Sequence, residues 1–197
     1  MSVPVRVVVA ALVGGIVMFV WGAVAHMMTP LGEMGISTIS ESEEKVFQGS
    51  LKQAFGREGL YFLPAAPMRE EMSAEAMEAW AKANANEPTA FVVFQPQMGE
   101  MMPPSMLVNE AVSNIAAAFL AAVVLALSAT NFAGRLAICV VIGVIGWVSI
   151  SASYWTWYHF PTDFSLAELA MQAIGWFASG IPMAMLVKGR VAAGAAA

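Results

Sequence analysis

Charged residues are scarce in this chain. Only 12% of its 197 residues are Asp, Glu, Lys or Arg, and 59% are hydrophobic. A typical soluble domain carries about 25% charged residues, so this composition excludes an ordinary water-soluble fold and indicates a membrane protein. The single cysteine, Cys139, excludes a disulfide within one chain. Lys and Arg form no basic patch, so nucleic acid is not an expected partner.

Familiar catalytic patterns are also missing. The sequence contains no G-x-S-x-G, P-loop or H-E-x-x-H motif, so no enzymatic activity is expected. A transporter usually carries ionisable residues or broken helices near the membrane midplane, often in two related halves. The apolar runs of this chain are free of charge at their centres and show no such halves. These absences favour a non-catalytic membrane protein.

Long apolar runs are what the sequence does contain. A helix of about 20 apolar residues crosses a hydrocarbon core of about 30 Å. Four runs qualify, at residues 5–28, about 111–130, 136–159 and 165–187. The predicted fold is an all-α transmembrane protein: a four-helix membrane bundle with a small α+β extracytoplasmic segment between helices 1 and 2. The corresponding ranges are 1–28 for the first transmembrane helix, 29–110 for the segment, 111–190 for the other three helices and 191–197 for a tail.

The basic residues predict the orientation of these helices. Four of them flank the apolar runs on what would be one face of the membrane, without any acidic residue beside them. They are Arg6, Arg135, Lys188 and Arg190. The other face receives residues 29–110, the short link before the last run and all 14 acidic residues. The positive-inside rule then places both termini in the cytoplasm and the segment at 29–110 on the opposite, outer face of the membrane.

One alternative to the first transmembrane helix is a secretory signal peptide. Arg6, the following apolar run and Ala23-Val24-Ala25 resemble such a peptide with an A-x-A cleavage site. The run is longer than the usual 7–15 apolar residues of a signal peptide, which favours a retained helix.

The segment at 29–110 is too long for a loop without structure of its own. A helix is predicted around residues 39–55, where Ser40 and Glu43 have the spacing of a capping box. A second helix is predicted at about 72–85. Residues 59–63 and 89–96 are strand candidates, rich in aromatic and β-branched side chains, and could form a two-stranded sheet.

Small residues recur on the apolar runs at helical spacing. Gly15 and Gly22 share a face of the first run, and the last run carries Gly175, Ser179 and Gly180. The third run contains Gly143 and Gly146. Such faces allow close helix packing in lipid, either within one bundle or against another subunit. Together with the small outer segment, they suggest an accessory or scaffolding subunit of a larger membrane complex, with lipid and other membrane proteins as partners.

A metal- or haem-binding protein is the competing hypothesis. His26, His159 and Glu168 all lie near the outer ends of predicted spans. Two histidines and a carboxylate could hold a metal ion, and two histidines could ligate a haem iron. The alternative is that the histidines are interfacial polar residues. Glu168 would then belong to a capping box with Ser165.

Methionines form the second candidate site. Met98, Met101 and Met102 lie in the polar outer segment, and further methionines occur at its other end. Thioethers select Cu(I), so a copper site on the periplasmic face is a hypothesis. The alternative is that these methionines fill irregular gaps between the segment and the bundle.

Two longer patterns carry a resemblance. They are GGIVMFVWGAVAHMMTPLGEMG at 14–35 and YWTWYHFP at 154–161, with GLYFLP and TAFVVFQP between them. In this order they resemble a family of uncharacterised four-span bacterial inner-membrane proteins over most of the chain. The resemblance implies the topology and a bacterial origin. It implies no activity and no catalytic residue.

Overall fold

The structure is a computed structural model, and it describes residues 2–67 and 73–188. The chain forms two compact units. A helical unit contains Met1–Ile36 and Met102–Ala197, and an inserted unit contains Ser37–Met101. The predicted insertion at 29–110 is therefore longer than the compact unit, because the residues at both of its ends belong to the helical unit. Arg190 and the predicted tail at 191–197 lie outside the described residues.

The helical unit contains four helices that are long and apolar enough to cross a membrane. They are α1 (Val3–Met28), α4 (Pro104–Leu127), the continuous helical stretch Phe132–Trp157 and α7 (Thr162–Leu186). The third stretch consists of α5 (Phe132–Gly146), one π-helical turn (Trp147–Ser151) and α6 (Ala152–Trp157). Four helices long and apolar enough to cross a membrane, with a small two-stranded sheet in the insertion, agree with the helices and the sheet of the predicted fold.

The helices pack in the order α4, α1, α7, α5. α1 lies between α4 and α7, and α7 lies between α1 and α5, whereas α4 and α5 contact each other little. The core is built largely from small side chains. Its fully buried members include Ala10, Ala118, Ala122, Cys139 and Met183. Because most of these residues are short, the helix backbones approach closely, as expected for helices that associate in lipid.

Several of the predicted glycine faces are used within this chain. A Cβ atom added to Gly15 would lie 2.6 Å from the Cα atom of Ile115 on α4. Gly143 faces the indole of Trp176, and Gly175 faces Trp21. Gly22 and Gly146 differ, because an added Cβ atom would meet nothing within 4 Å. Most of this small-residue surface therefore serves packing inside the bundle rather than a free docking face.

Hydrogen bonds between neighbouring helices add specific contacts to the apolar packing. The Ser179 hydroxyl of α7 donates to the Gly14 carbonyl of α1 at 3.1 Å, and both residues are buried. The Trp147 indole N–H donates to the Ser165 carbonyl at 2.8 Å. At the other end of α7, Arg135 Nε donates to the Ala184 carbonyl at 3.0 Å. This last bond places the start of α5 beside the end of α7.

The inserted unit contains α2 (Glu41–Ala54), β1 (Gly59–Leu63), α3 (Ala74–Ala83) and β2 (Ala90–Phe94). β1 and β2 form an antiparallel two-stranded sheet in which Gly59 pairs with Phe94 and Leu63 with Ala90. This confirms both predicted strands and their pairing. Three aromatic rings form the small core of the inserted unit. Phe55 stacks on Tyr61 at a centroid distance of 3.9 Å, and Phe94 meets Phe55 edge-on at 5.2 Å.

The predicted capping box at the start of α2 is present. The Glu43 N–H donates to the Ser40 hydroxyl, and the Ser40 N–H donates to the Glu43 carboxylate at 3.1 Å. The bonds from the Ser40 side chain and backbone lower the pKa of Glu43 below its ordinary value because they favour the charged carboxylate. The cap also ends the extended chain that precedes α2.

Candidate functional site

A polar cavity of about 120 Å³ lies among α1, α4 and α7 of the helical unit. It lies near the end of α1 and the starts of α4 and α7. This end of the helical unit is named the insertion end, because the inserted residues connect α1 to α4 there. Five polar or ionisable side chains line it, together with Trp21, Gly22 and a few apolar residues. The five are His26, Glu110, Asn114, Glu168 and Gln172. Ionisable groups on membrane-spanning helices mark candidate functional sites.

Helical spacing on α1 forms one wall of the cavity. Met18, Trp21, Gly22 and Ala25 repeat at three- and four-residue intervals, so they share one face of the helix. The Trp21 indole N–H donates to the Met171 carbonyl of α7 at 2.9 Å. This bond ties α1 to α7 beside the cavity and leaves the indole N–H unavailable to a bound molecule.

The chain after α1 turns back tightly at the insertion end. A Cβ atom on Gly32 would lie 2.6 Å from His26 Cα, so only glycine permits this approach. Gly35 has a φ of +74° and lies against the backbone of Phe164 at the start of α7. Positive φ strongly favours glycine. The turn therefore joins the end of α1, where His26 lies, to the start of α7.

Two carboxylates occupy equivalent places on α4 and α7. Glu110 is two turns into α4, and its carboxylate accepts a hydrogen bond from the Asn114 amide at 2.9 Å. Glu168 is two turns into α7 and, among the described residues, makes no hydrogen bond or ion pair with its carboxylate. No Lys or Arg lines the cavity. The lining thus offers two carboxylates and amide oxygens without a basic side chain other than His26.

The predicted capping role of Glu168 is wrong. α7 begins at Thr162, three residues before Ser165, and its N-cap is Pro161. Ser165 is buried inside the helix, where its carbonyl accepts the Trp147 indole N–H. Helix initiation therefore does not account for Glu168, whose side chain lines the cavity instead.

The structure brings together two of the three predicted metal ligands. His26 and Glu168 both line the cavity, but His159 does not. His159 follows α6 in a loop, with a φ of 55°, and is exposed. Across residues 2–67 and 73–188, no three His, Cys, Asp or Glu side chains are arranged to hold a metal ion. Haem binding by His26 and His159 stays a prediction.

The candidate copper ligands are largely exposed. Met98 and Met101 are each 74% exposed and Met102 is 54% exposed. The filling of gaps between the segment and the bundle by these methionines stays a prediction. Met98 lies beside a groove between α2 and β2 in the inserted unit. Copper binding by these thioethers stays a prediction.

A second surface feature lies on α2 of the inserted unit. Leu51 of α2 faces the groove, and Phe55, just after α2, joins the aromatic core. Val46 and Phe47 of α2, together with Ile39 just before the helix, line a shallow depression on a different face. Val46 is 72% exposed and Phe47 53% exposed. Contiguous exposed apolar side chains in a part of the chain outside the predicted spans are typical of interaction surfaces. These three residues are called the α2 apolar face below.

Sequence reasoning missed Glu110, Asn114 and Gln172. The predicted boundary at residue 110 assigns Glu110 to the outer segment, although α4 begins at Pro104. The sequence does contain a signal: Glu110 and Asn114, like Glu168 and Gln172, are an acid and a carboxamide four residues apart. That spacing places each pair on one face of its helix.

Comparison with known proteins adds no relative. No protein-family model, no curated protein and no solved structure matches this chain. The resemblance to an uncharacterised four-span family stays a prediction.

Proposed function

We propose that this chain is a non-catalytic, multi-pass protein of the bacterial inner membrane that serves as an accessory or scaffolding subunit of a larger membrane complex. The α2 apolar face is the observation that carries the proposal. When a partner covers apolar side chains that are exposed to water, the removal of their surface from water lowers the free energy of the complex. In this proposal lipid tails surround the four helices that are long and apolar enough to cross a membrane, and α2 is not among them, so the α2 apolar face needs another explanation.

The negative charge of the inserted unit indicates which kind of partner surface would fit it. The inserted unit carries ten acidic and five basic residues in its sequence. Glu43 lies at the edge of the α2 apolar face and adds a negative charge there near neutral pH. The proposed partner is therefore a membrane-protein subunit whose outer surface has an apolar centre with a basic rim. Complementary charge of this kind steers association and favours one partner over others.

The proposed orientation has both termini in the cytoplasm and the inserted unit in the periplasm. Arg6 lies in the first turn of α1, Arg135 in the first turn of α5, and Lys188 just after α7. The bond from Arg135 to the Ala184 carbonyl supports a common end for the last two. Basic residues gathered at one end favour its location in the cytoplasm.

Photocrosslinking in intact membranes tests the partner. A photoreactive phenylalanine analogue replaces Phe47, and the same analogue at Lys45 is the matched control, because Lys45 is also exposed but lies outside the depression. The expected result is one heavier adduct of defined mass from position 47 and little from position 45. Equal adducts at both positions, or adducts at 47 only with lipid or within the chain itself, would contradict the proposal.

Cysteine labelling tests the orientation. Cys139 is buried and serves as an unlabelled background. Sealed cells that carry Glu87→Cys should react with a membrane-impermeant maleimide, whereas Ser2→Cys should react only after permeabilisation. The reverse pattern would overturn the orientation and leave the partner experiment untouched.

A further inference from the structure

We propose that the end of the helical unit opposite the insertion end binds the phosphate of an anionic phospholipid. Three basic side chains would hold it: Arg6 in the first turn of α1, Arg135 in the first turn of α5 and Lys188 just after α7. This end is called the basic end below. The inference rests on the proposed membrane location of the four helices and is independent of the proposed partner of the α2 apolar face.

Arg6 and Lys188 lie at the same level of the helical unit. The hydrogen bond from Ser179 to Gly14 fixes α7 beside α1, and the two helices run in opposite directions. From that bond Arg6 is eight residues back along α1 and Lys188 is nine residues onward along α7, which is about 12 Å and about 13.5 Å at the helical rise per residue. The two basic residues therefore adjoin the same membrane surface.

Arg135 is held at this level by two backbone carbonyls. Its Nε donates to the Ala184 carbonyl at 3.0 Å, one turn before Lys188, and its Nη1 donates to the Thr130 carbonyl at 2.6 Å. A guanidinium has five N–H donors, so three remain without a partner among the described residues. A guanidinium with a fixed orientation and free donors suits the oxygen atoms of a phosphate.

The positive charge of the basic end is not compensated by acidic side chains. Residues 2–32, 111–162 and 169–188 contain no Asp or Glu. Arg6 is partly buried, and neither Arg6 nor Lys188 forms an ion pair with a described residue. Removing a charged group from water is unfavourable unless an opposite charge or hydrogen bonds compensate it. A bound anion would provide both.

The depth of the basic end favours a lipid over a soluble anion. Each of its three basic residues lies within a turn of the end of a helix that is long and apolar enough to cross a membrane. Basic pockets between such helices on the cytoplasmic side bind anionic headgroups. Beside them the helices expose apolar side chains, such as Val5 and Met185, which acyl chains would contact. Charge and apolar surface therefore both fit an anionic phospholipid.

Lipid titration of the full-length protein in a mild non-ionic detergent tests this inference. Phosphatidylglycerol, phosphatidylcholine and inorganic phosphate are added in separate series, and binding is followed by native mass spectrometry and by thermal unfolding. Phosphatidylglycerol should bind saturably and raise the temperature of unfolding, because a ligand that binds only the folded state stabilises it. Phosphatidylcholine, which has no net charge, and inorganic phosphate, which has no acyl chains, should have little effect at the same concentrations.

Substitution of single basic residues tests the site. Arg6→Gln should weaken the binding of phosphatidylglycerol about fivefold, which is the usual contribution of one basic residue near an anionic lipid surface. Lys188→Gln, at an exposed position, should have the same effect and replaces Arg6→Gln if that variant does not fold. Lys82→Gln is the matched control, because it removes the same charge from an exposed position on α3. The control should bind as the unaltered protein does.

Three outcomes would overturn the inference. Equal binding of phosphatidylglycerol and phosphatidylcholine would indicate unselective contact with lipid. Equal stabilisation by inorganic phosphate would indicate an anion site that does not require a lipid. Equal weakening by Lys82→Gln would indicate attraction by the overall charge of the protein. None of these outcomes changes the expected cysteine labelling or the expected photocrosslinks, so the orientation and the partner are tested separately.

Discussion

A close contact between two helix backbones predicts how a single methyl group should affect stability. At Gly15 an added Cβ atom would lie 2.6 Å from Ile115 Cα and 2.8 Å from Ile115 N. Ordinary van der Waals contact requires 3.4–4 Å. Backbone atoms cannot rotate away, so in Gly15→Ala the helices α1 and α4 must separate locally. Overpacking of this kind costs about 1–3 kcal/mol.

Gly22 provides a control on the same helix, because a Cβ atom there would meet nothing within 4 Å. Ala is a better helix former than Gly by about 1 kcal/mol. That gain applies to both variants and cancels when they are compared. Gly15→Ala should therefore be less stable than Gly22→Ala by about 1–3 kcal/mol.

A third variant separates backbone clashes from side-chain clashes. At Gly14 the added Cβ atom would meet the Met183 sulfur, which belongs to a flexible side chain. Gly14→Ala should therefore fall between the other two. The assay is reversible unfolding of the detergent-solubilised protein by added SDS, followed by tryptophan fluorescence. Equal stability of Gly15→Ala and Gly22→Ala would refute the close packing of α1 against α4.

The remaining predictions concern the cap, the aromatic core and a buried indole. In Ser40→Ala the pKa of Glu43 should rise toward its ordinary value, which an NMR titration would measure. In the unaltered protein the stabilisation from the capped carboxylate is present above the ordinary glutamate pKa of 4.5 and is lost as the pH falls through the lower pKa of the folded state. Phe55→Ala removes the centre of the aromatic core and should destabilise the inserted unit by about 3–5 kcal/mol, enough for limited proteolysis of the full chain to cut inside that unit. Trp147→Phe loses one buried hydrogen bond and should lower the stability of the helical unit by about 0.5–1.5 kcal/mol, whereas Trp157→Phe, at a position that is 73% exposed, should change it little.

Much of the fold is predictable because hydrophobicity and local capping act over short stretches of sequence. The four apolar runs correspond to four helices, and both strands and the capping box of Ser40 and Glu43 lie where predicted. The predicted start of α4, at 111 rather than Pro104, is too late. Glu110 and Asn114 lower the hydropathy there, although both residues are helical. A drop in hydropathy therefore does not mark the end of this helix.

The use of each glycine could not be predicted, because it depends on which helices become neighbours. Gly15 and Gly22 share one face of α1, yet only Gly15 meets another backbone. The difference arises because α4 contacts α1 at Gly15, whereas a cavity lies beside Gly22. Residue spacing along one helix predicts which side chains share a face. The position and angle at which a second helix crosses that face depend on the tertiary structure.

The same limitation explains why only two members of the cavity lining are predictable from sequence. His26 and Glu168 stand out singly, as polar residues near the ends of apolar runs. Whether they share a site depends on the register of α1 against α4 and α7, which is fixed by distant contacts such as the Ser179–Gly14 hydrogen bond. Once that register is set, Glu110 and Glu168 reach the same level, each two turns into its helix. Two acids on separate helices then line one cavity, and this grouping depends on tertiary packing that neither helix shows in its own sequence.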